Sequence, residues 1–306
     1  MSDPTTDVDV PSPGVMPALV TPFDADESVD HDALSELVEW TVEQGVDGLV
    51  PCGTTGEFAS MSAAERQAVV ETTVGAADGR VPVVAGTAAT TVDEVVHHTE
   101  AAAEVGADGA LITDPFFHSA NAPTGNERFF RRVADRTPLP LYLYNIPMTA
   151  GDSVAAETAA ALAEHDAVHG IKDTSGDFSY FEEVLAETPD NFRVLQGFDD
   201  HFVGGAAMGS DGGINALANV VPDAFRSLCD ALDAGDVAQA REIQRDVLSP
   251  LFATCLQYGF APTTKELLAA RGVVDARTVR PPLVELDEES QSAVDDVLDD
   301  ALARLE

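Results

Sequence analysis

Apolar residues recur along this chain in two alternating rhythms. Short, nearly unbroken apolar runs fall at residues 16–23, 47–52, 81–86, 109–113, 139–146, 168–172, 192–196 and 212–215. Such runs mark strands buried on both faces. Between them, apolar residues stand three and four apart, the spacing of one helix face. Leu34, Leu37, Val38 and Val42 give the first such stripe, and others run through 91–105, 125–136, 154–164 and 180–187, with a helical turn over 200–208. Asp30 or Ser28 caps the first helix and Gly45 ends it, while Ser62-Ala63-Ala64-Glu65 is a capping box that opens the second. Eight strands, each followed by a helix or helical turn, predict a parallel sheet. Eight such units within residues 15–221 predict an α/β fold of the closed (β/α)8 TIM-barrel type. The competing open, doubly wound sheet carries a glycine-rich loop after its first strand. The corresponding stretch here, VTPFDADES, has no glycine.

Beyond residue 221 the pattern is helical only, over 224–234, 237–258 (with a bend at Pro250), 264–270 and 290–305. Residues 222–306 therefore predict a C-terminal helical domain that packs on the barrel or builds an oligomer interface. Residues 1–14 predict a flexible acidic tail.

Charge alters the picture of the surroundings more than that of the fold. Of 306 residues, 54 are acidic and 16 are Lys or Arg, for a formal net charge of −38. That field repels nucleic acid and anionic membranes, which excludes both as partners. It also strains the compact state unless salt screens it, and at about 1 M salt the Debye length is only about 3 Å. The composition reads as that of a halophile. With 45% hydrophobic residues in periodic order, the chain is not an acidic disordered segment. Cys52, Cys229 and Cys255 form neither a disulfide framework nor a zinc spacing. The first residues lack the apolar core of a signal peptide, and no apolar run is long enough to span a bilayer, so a cytoplasmic location is expected.

In a barrel of this kind the chemistry lies at the C-terminal strand ends. Those ends carry Thr21, residues 52–57, Thr87, residues 114–118, Tyr144-Asn145, residues 172–174, residues 197–200 and Ile214-Asn215. Lys172 is one of only two lysines in the chain, the other being Lys265. An isolated strand-end lysine commonly extends its ammonium to water along an apolar stem. Set among Val168 and Ile171, however, it sits where apolar surroundings favour a nucleophilic amine. Tyr144 closes the neighbouring strand, about 4.8 Å away. An amine and a phenol so placed suit imine chemistry: the amine attacks a ketone, and the phenol moves protons to and from the carbinolamine oxygen. The loop Gly53-Thr54-Thr55-Gly56-Glu57 offers hydroxyls and backbone N–H groups suited to a carboxylate. A 2-keto acid would bring its ketone to Lys172 and its carboxylate to this loop.

Three segments, Gly53-Thr54-Thr55-Gly56-Glu57, Tyr144-Asn145-Ile146-Pro147 and Gly170-Ile171-Lys172-Asp173-Thr174-Ser175, resemble in order and spacing the signatures of the dihydrodipicolinate synthase/N-acetylneuraminate lyase family. The likeness runs from about residue 15 to the C-terminus. It implies a (β/α)8 barrel with a C-terminal helical domain, usually a homotetramer, that forms a Schiff base with pyruvate or a related keto acid and uses no cofactor. By position, Lys172 matches the imine lysine, Tyr144 the proton-shuttling tyrosine, and Thr54 and Thr55 the carboxylate-binding pair. Gly197 and Ile214 match residues that line the pyruvate pocket.

Two departures bear on the substrate. Where the synthases usually carry two tyrosines this chain has Phe116-Phe117, and where they carry an arginine for the second substrate it reads Met148-Thr149-Ala150. The strand-end loops hold no cation besides Lys172, which speaks against a phosphate subsite. The resemblance then points to the 2-keto-3-deoxygluconate aldolase branch, cleaving that acid or its 6-phosphate to pyruvate and glyceraldehyde or its phosphate. A 4-hydroxy-tetrahydrodipicolinate synthase, an N-acetylneuraminate lyase and a keto-acid sensor without turnover are the alternatives. Other polar residues call for less. His97-His98 reads as helix surface, His118 and His201 as contacts for a polyol tail, and Asp173 as a strand-end hydrogen bonder. Asp199-Asp200 has no partners for a metal, Cys52 reads as buried and apolar, and Lys265 as a structural residue paired locally with an acid.

Overall fold

The computed structural model describes Val8 and residues 14–117 and 123–305. Most of the expected acidic tail and His118 lie outside them. The described residues form two compact units: residues 82–213 with Val8, and residues 14–81 with those from 214 on.

In the first unit five strands stand parallel and in chain order: β2 (Val84–Gly86), β3 (Gly109–Thr113), β4 (Leu141–Asn145), β5 (Val168–Asp173) and β6 (Arg193–Gln196). Helices Val92–Glu104, Pro123–Ala134, Ala156–Ala163 and Phe178–Glu187 alternate with them. Apart from His169 and Arg193 every strand residue is buried, as expected for a parallel sheet covered on both faces. Caps start the helices where the sequence changes rhythm. Thr91 accepts from the Glu94 N–H, and Asp177 from the Ser179 and Tyr180 N–H groups. Asp-Gly steps start the strands: Asp108 and Asp211 accept the backbone N–H groups of Val83 and Val194, each at 2.9 Å. Strand β7 (Gly212–Asn215) begins in this unit, where Gly213 pairs with Gln196.

The second unit holds β1 (Gly14–Pro17), the end of β7 and the segment 47–50. Segment 47–50 runs alongside β1, with Asp47 N–H to Val15 O at 2.8 Å and Val50 N–H to Pro17 O at 3.0 Å. It is the second of the eight expected strands but forms only isolated bridges, Ala18 with Val50 among them, so the described residues hold seven full strands. The Asp47 carboxylate also takes the Val15 N–H at 2.8 Å, the same contact that Asp108 and Asp211 make at the start of their strands. Asn219 links the end of β1 to the C-terminal half, donating to Ala18 O at 2.8 Å and accepting from the Val20 N–H at 3.2 Å.

Helices His31–Glu43 and Ala63–Ala77 also belong to this unit, and beyond residue 221 come six helical segments: Pro222–Asp233, Val237–Ile243, Gln244–Leu248, Ser249–Tyr258, Phe260–Ala270 and Glu288–Leu302. The bend expected at Pro250 is instead a π turn over Gln244–Leu248, just ahead of it. Widening the turn absorbs the missing N–H of the proline. The architecture is that of a TIM-barrel-like α/β protein with a helical C-terminal stretch. No helix of the described residues is long and apolar enough to cross a membrane.

Candidate active site

Register places the two residues singled out for imine chemistry. Thr113 pairs with Tyr144, Tyr144 with Lys172, and Lys172 with Leu195 along the C-terminal ends of β3 to β6. A register shift between Leu141 and Tyr142 decides this alignment. Leu141 pairs with Val168 but Tyr142 with Gly170, so His169 is the extra residue of a bulge. Without the bulge, Tyr144 would face Ile171, and Lys172 would fall a residue further on. Bulges beside active sites re-aim side chains in this way. Gly170 is what the crowding permits, since a Cβ there would lie 3.0 Å from the Tyr142 ring.

Lys172 is only 4% exposed, and its Nζ stands 4.2 Å from the centroid of the Tyr144 ring. Among the described residues no carboxylate pairs with it. Gly197 presses on the lysine stem: a Cβ there would come within 2.9 Å of Lys172 Cε and 2.8 Å of Asp173 O. Its N–H donates to Asp173 O at 2.7 Å, which fixes the turn after β6 against the end of β5.

The next row along these strands faces the helices. Asp173 accepts from Asn145 Nδ2 at 2.7 Å, Ser175 N–H at 3.0 Å and Ser175 Oγ–H at 2.9 Å. Burial still outweighs those bonds and holds its carboxyl above the usual range. Its role is the strand-end hydrogen bonding expected from sequence. Asp114, just past β3, is fully buried. Apart from its own backbone N–H, neither carboxylate oxygen has a hydrogen-bond partner among the described residues. Burial, with Asp152 adding to it, pushes its pKa up to about 6. The Tyr180 hydroxyl is likewise buried without a partner, and burial together with the charges of Asp173, Glu183 and Asp114 raises its pKa. Sequence reading passed over both residues, because neither type nor spacing reveals a missing partner. His201 stacks on Phe178 with ring centroids 4.5 Å apart, so its ring has an aromatic neighbour to rest on.

The glycine-threonine loop belongs to the second unit. Cys52 (φ 58°) and Glu57 (φ 56°) bracket it, both non-glycine residues in the left-handed region. Each costs about 1–3 kcal/mol and persists only where the surroundings impose it. Between them, Gly56 lies so close to the chain that a Cβ would meet Leu19 O at 2.7 Å, and its carbonyl accepts from Thr21 Oγ1 at 2.8 Å. The Glu57 N–H donates to Thr54 O at 3.1 Å and closes the turn around Thr54 and Thr55. Thr55 and Ile214 are buried, as residues lining a small-molecule site would be. Cys52 is buried too, its thiol pushed up to about 12 by desolvation, in keeping with an inert, apolar role.

At the far side of this loop stands Lys265. It pairs not with a local acid, as its sequence neighbourhood suggests, but with Glu57, at 2.6 Å and with both side chains fully excluded from solvent. The angle falls outside that of a regular hydrogen bond, so the contact acts as an ion pair. Lys265 Nζ also donates to Thr278 O at 2.7 Å and lies 4.2 Å from the Phe23 ring centroid. Burial pulls the Lys265 pKa down, and the Glu57 charge opposes that shift. The scarcity of lysine was the available signal, but nothing in the sequence points to its partner.

Comparison with known proteins bears on what this site does. The model of the dihydrodipicolinate synthetase family matches residues 11–301. A 4-hydroxy-tetrahydrodipicolinate synthase of Natronomonas pharaonis is 40% identical over 288 residues, covering 94% of this chain and 97% of that protein. Among solved structures, the dihydrodipicolinate synthase DapA-2 of Bacillus anthracis superposes with a TM-score of 0.91 at 28% identity, over 96% of this chain and 99% of that one. YagE, a prophage protein of the dihydrodipicolinic acid synthase family from E. coli K12 solved in complex with pyruvate, has a TM-score of 0.90 at 30% identity, over 94% and 98%. These findings overturn the expectation of a 2-keto-3-deoxygluconate aldolase, since the Natronomonas and Bacillus proteins are both named synthases. Phe116-Phe117 and Met148-Thr149-Ala150 were weak guides to the substrate for a physical reason. Contacts to a second substrate are few, and neither the fold nor the imine requires them, so one arginine can be lost without changing the reaction class.

Proposed function

The chain belongs to the dihydrodipicolinate synthetase family, and we propose that it is a 4-hydroxy-tetrahydrodipicolinate synthase working through a Lys172 imine. The product's name gives the arithmetic. Its ring holds seven carbons with both carboxylates; removing the three of pyruvate leaves a four-carbon amino acid with a terminal aldehyde. The observation that carries the reading is the pairing of Tyr144 with Lys172 across β4 and β5, with Nζ 4.2 Å from the ring centroid.

Lys172 Nζ attacks the pyruvate ketone, and the carbinolamine loses water to give the imine. The protonated imine is an electron sink, so the methyl group loses a proton and an enamine forms. The enamine carbon adds to the aldehyde of the second substrate. That substrate's amino group then displaces Lys172 from the imine carbon and closes the ring. Tyr144 carries the protons to and from the carbinolamine oxygen. Thr54 and Thr55 are assigned the pyruvate carboxylate, a role their hydroxyls and the N–H groups of a closed turn suit. Gly197 and Ile214 are assigned to the pyruvate-lining surface, where a larger residue at 197 would collide with the lysine stem. The acceptor's carboxylate, without the usual arginine, is assigned to N–H and hydroxyl donors such as Thr149.

Self-association is part of the reading. Phe117 is 90% exposed in a left-handed conformation (φ 77°), and Met148 is also exposed. A large exposed aromatic suits burial against a second copy. The homotetramer is tested by sedimentation of wild type and Phe117→Asp, the variant being expected to dissociate.

The direct test of function is borohydride trapping with pyruvate, followed by turnover with the four-carbon amino aldehyde. A pyruvyl adduct at Lys172 and none at Lys265 is expected, together with condensation. No adduct with folded protein in high salt would end the imine reading. An adduct without condensation would end the synthase reading alone.

A further inference from the structure

One buried ion pair joins helix Phe260–Ala270 to the turn around Thr54 and Thr55. Lys265 and Glu57 are both wholly buried. The packing of the helix gives no reason for a lysine at that position. Its neighbours Thr264, Leu267 and Leu268 are buried too, and an apolar side chain would avoid the cost of desolvating an ammonium. The chain carries two lysines against 54 acids, and one of them is spent here.

The reason lies at the glutamate end. Glu57 holds a left-handed backbone (φ 56°), and its N–H closes the turn on Thr54 O at 3.1 Å. Glu57 is thus the closing residue of the turn, and its left-handed φ sets how the chain and its carboxylate leave the turn. Both of its carboxylate oxygens are taken by the C-terminal segment, Oε1 by Lys265 Nζ at 2.6 Å and Oε2 by the Arg280 N–H at 3.1 Å. Arg280 itself is tied down by Glu65, Ser60 O and Glu27 O, and lies over the Phe23 ring at 4.4 Å. Lys265 occupies the same ring at 4.2 Å. Phe23, Lys265 and Arg280 therefore form a fixed frame, and Glu57 is pinned to it by both oxygens.

We propose that Lys265 and Glu57 are a positioning pair: they hold the turn of Thr54 and Thr55 in the shape that receives the keto acid's carboxylate, so that the C-terminal helices set affinity for the keto acid. The proposal rests on the carboxylate role given to Thr54 and Thr55 above. Neither residue touches the reacting atoms, so the pair governs keto-acid binding and leaves the chemical step at Lys172 intact.

The test uses the full chain as wild type, Lys265→Met, the double variant Lys265→Met/Glu57→Gln, and Glu57→Asp. Melting temperature is read beside the pyruvate dependence of borohydride trapping and of turnover. Lys265→Met strands a buried carboxylate and should melt early. The double variant removes both charges and keeps an acceptor for the Arg280 N–H, so most of the melting temperature should return. Its half-saturating pyruvate concentration should nevertheless stay raised about tenfold or more, with kcat changed by less than about threefold. Glu57→Asp, which keeps the charge and shortens the reach, should raise the pyruvate requirement in the same sense. If the double variant regains wild-type pyruvate dependence along with its stability, or Glu57→Asp never loses it, the pair is a structural tie and the proposal falls. Should wild type itself trap no pyruvate, the carboxylate reading fails first and takes the proposal with it, an outcome visible before any variant is made.

Discussion

Two buried lysines, one in each unit, have nearly the same exposure and opposite company. Lys172 ends β5 with an aromatic ring at 4.2 Å and no carboxylate paired to it among the described residues. Lys265 has a carboxylate at 2.6 Å, a carbonyl at 2.7 Å and a ring besides. The acids repeat the contrast. Asp114, in the unit of Lys172, is buried without a cation among the described residues, whereas Glu57 is buried against one. Pairing locks a charge in place and makes it scaffold. An amine with no carboxylate against it is not tied up in an ion pair and can turn to a ketone. Burial by itself says little about function in this protein; what each charge faces decides it.

Breaking the contrast at Lys172 should have the largest effect. Lys172→Ala is expected to lose turnover and the trapped pyruvate adduct entirely, and any adduct appearing at Lys265 in that variant would erase the distinction between the two amines. Tyr144→Phe should keep wild-type affinity for pyruvate while the rate falls by about 10²–10⁴, the usual worth of a general acid–base. Near-normal turnover would remove the phenol from proton transfer. Lys265→Met should leave the imine lysine untouched yet cost about 3–5 kcal/mol of stability, the penalty for one orphaned charge of a buried pair. A denaturant midpoint equal to that of wild type would mean that Glu57 finds another partner.

The smallest effect sharpens the comparison at Asp114. Its folded pKa of about 6 lies above the ordinary carboxylate value of 3.8, so the native state binds the proton more tightly than the unfolded chain does. Stability from this group is therefore present at low pH and lost as pH rises through that window. Asp114→Asn should accordingly raise stability at pH 8 by up to about 3 kcal/mol, with the gain vanishing near pH 3. Thermal melts at the two pH values measure it, and an equal change at both would show that the charge is not what burial penalises.

Much of this was open to reading in the chain itself. Apolar runs and helical stripes gave the order of strands and helices, because each element buries a face whose period is local. The capping box at Ser62 and Glu65 formed as its spacing implies. Lys172 and Tyr144 stood out because a chain this acidic keeps almost no lysine, and because neighbouring strand ends meet in a parallel sheet. The substrate was misread, since residues 116–117 and 148–150 concern a molecule that the fold does not need.

Other features had no local trace. Nothing around His169 announces the bulge that brings Lys172 opposite Tyr144, because a bulge is a relation between two strands. Segment 47–50 has the apolar pattern of a full strand, yet among the described residues it forms only isolated bridges. Lys265 was visible as a rarity, but its partner lies across the sequence at a glutamate whose left-handed backbone no residue type reveals. Periodicity and composition report what a residue is and which way it faces. Register and charge pairing depend on which distant residue comes to stand opposite, and only the folded chain determines that.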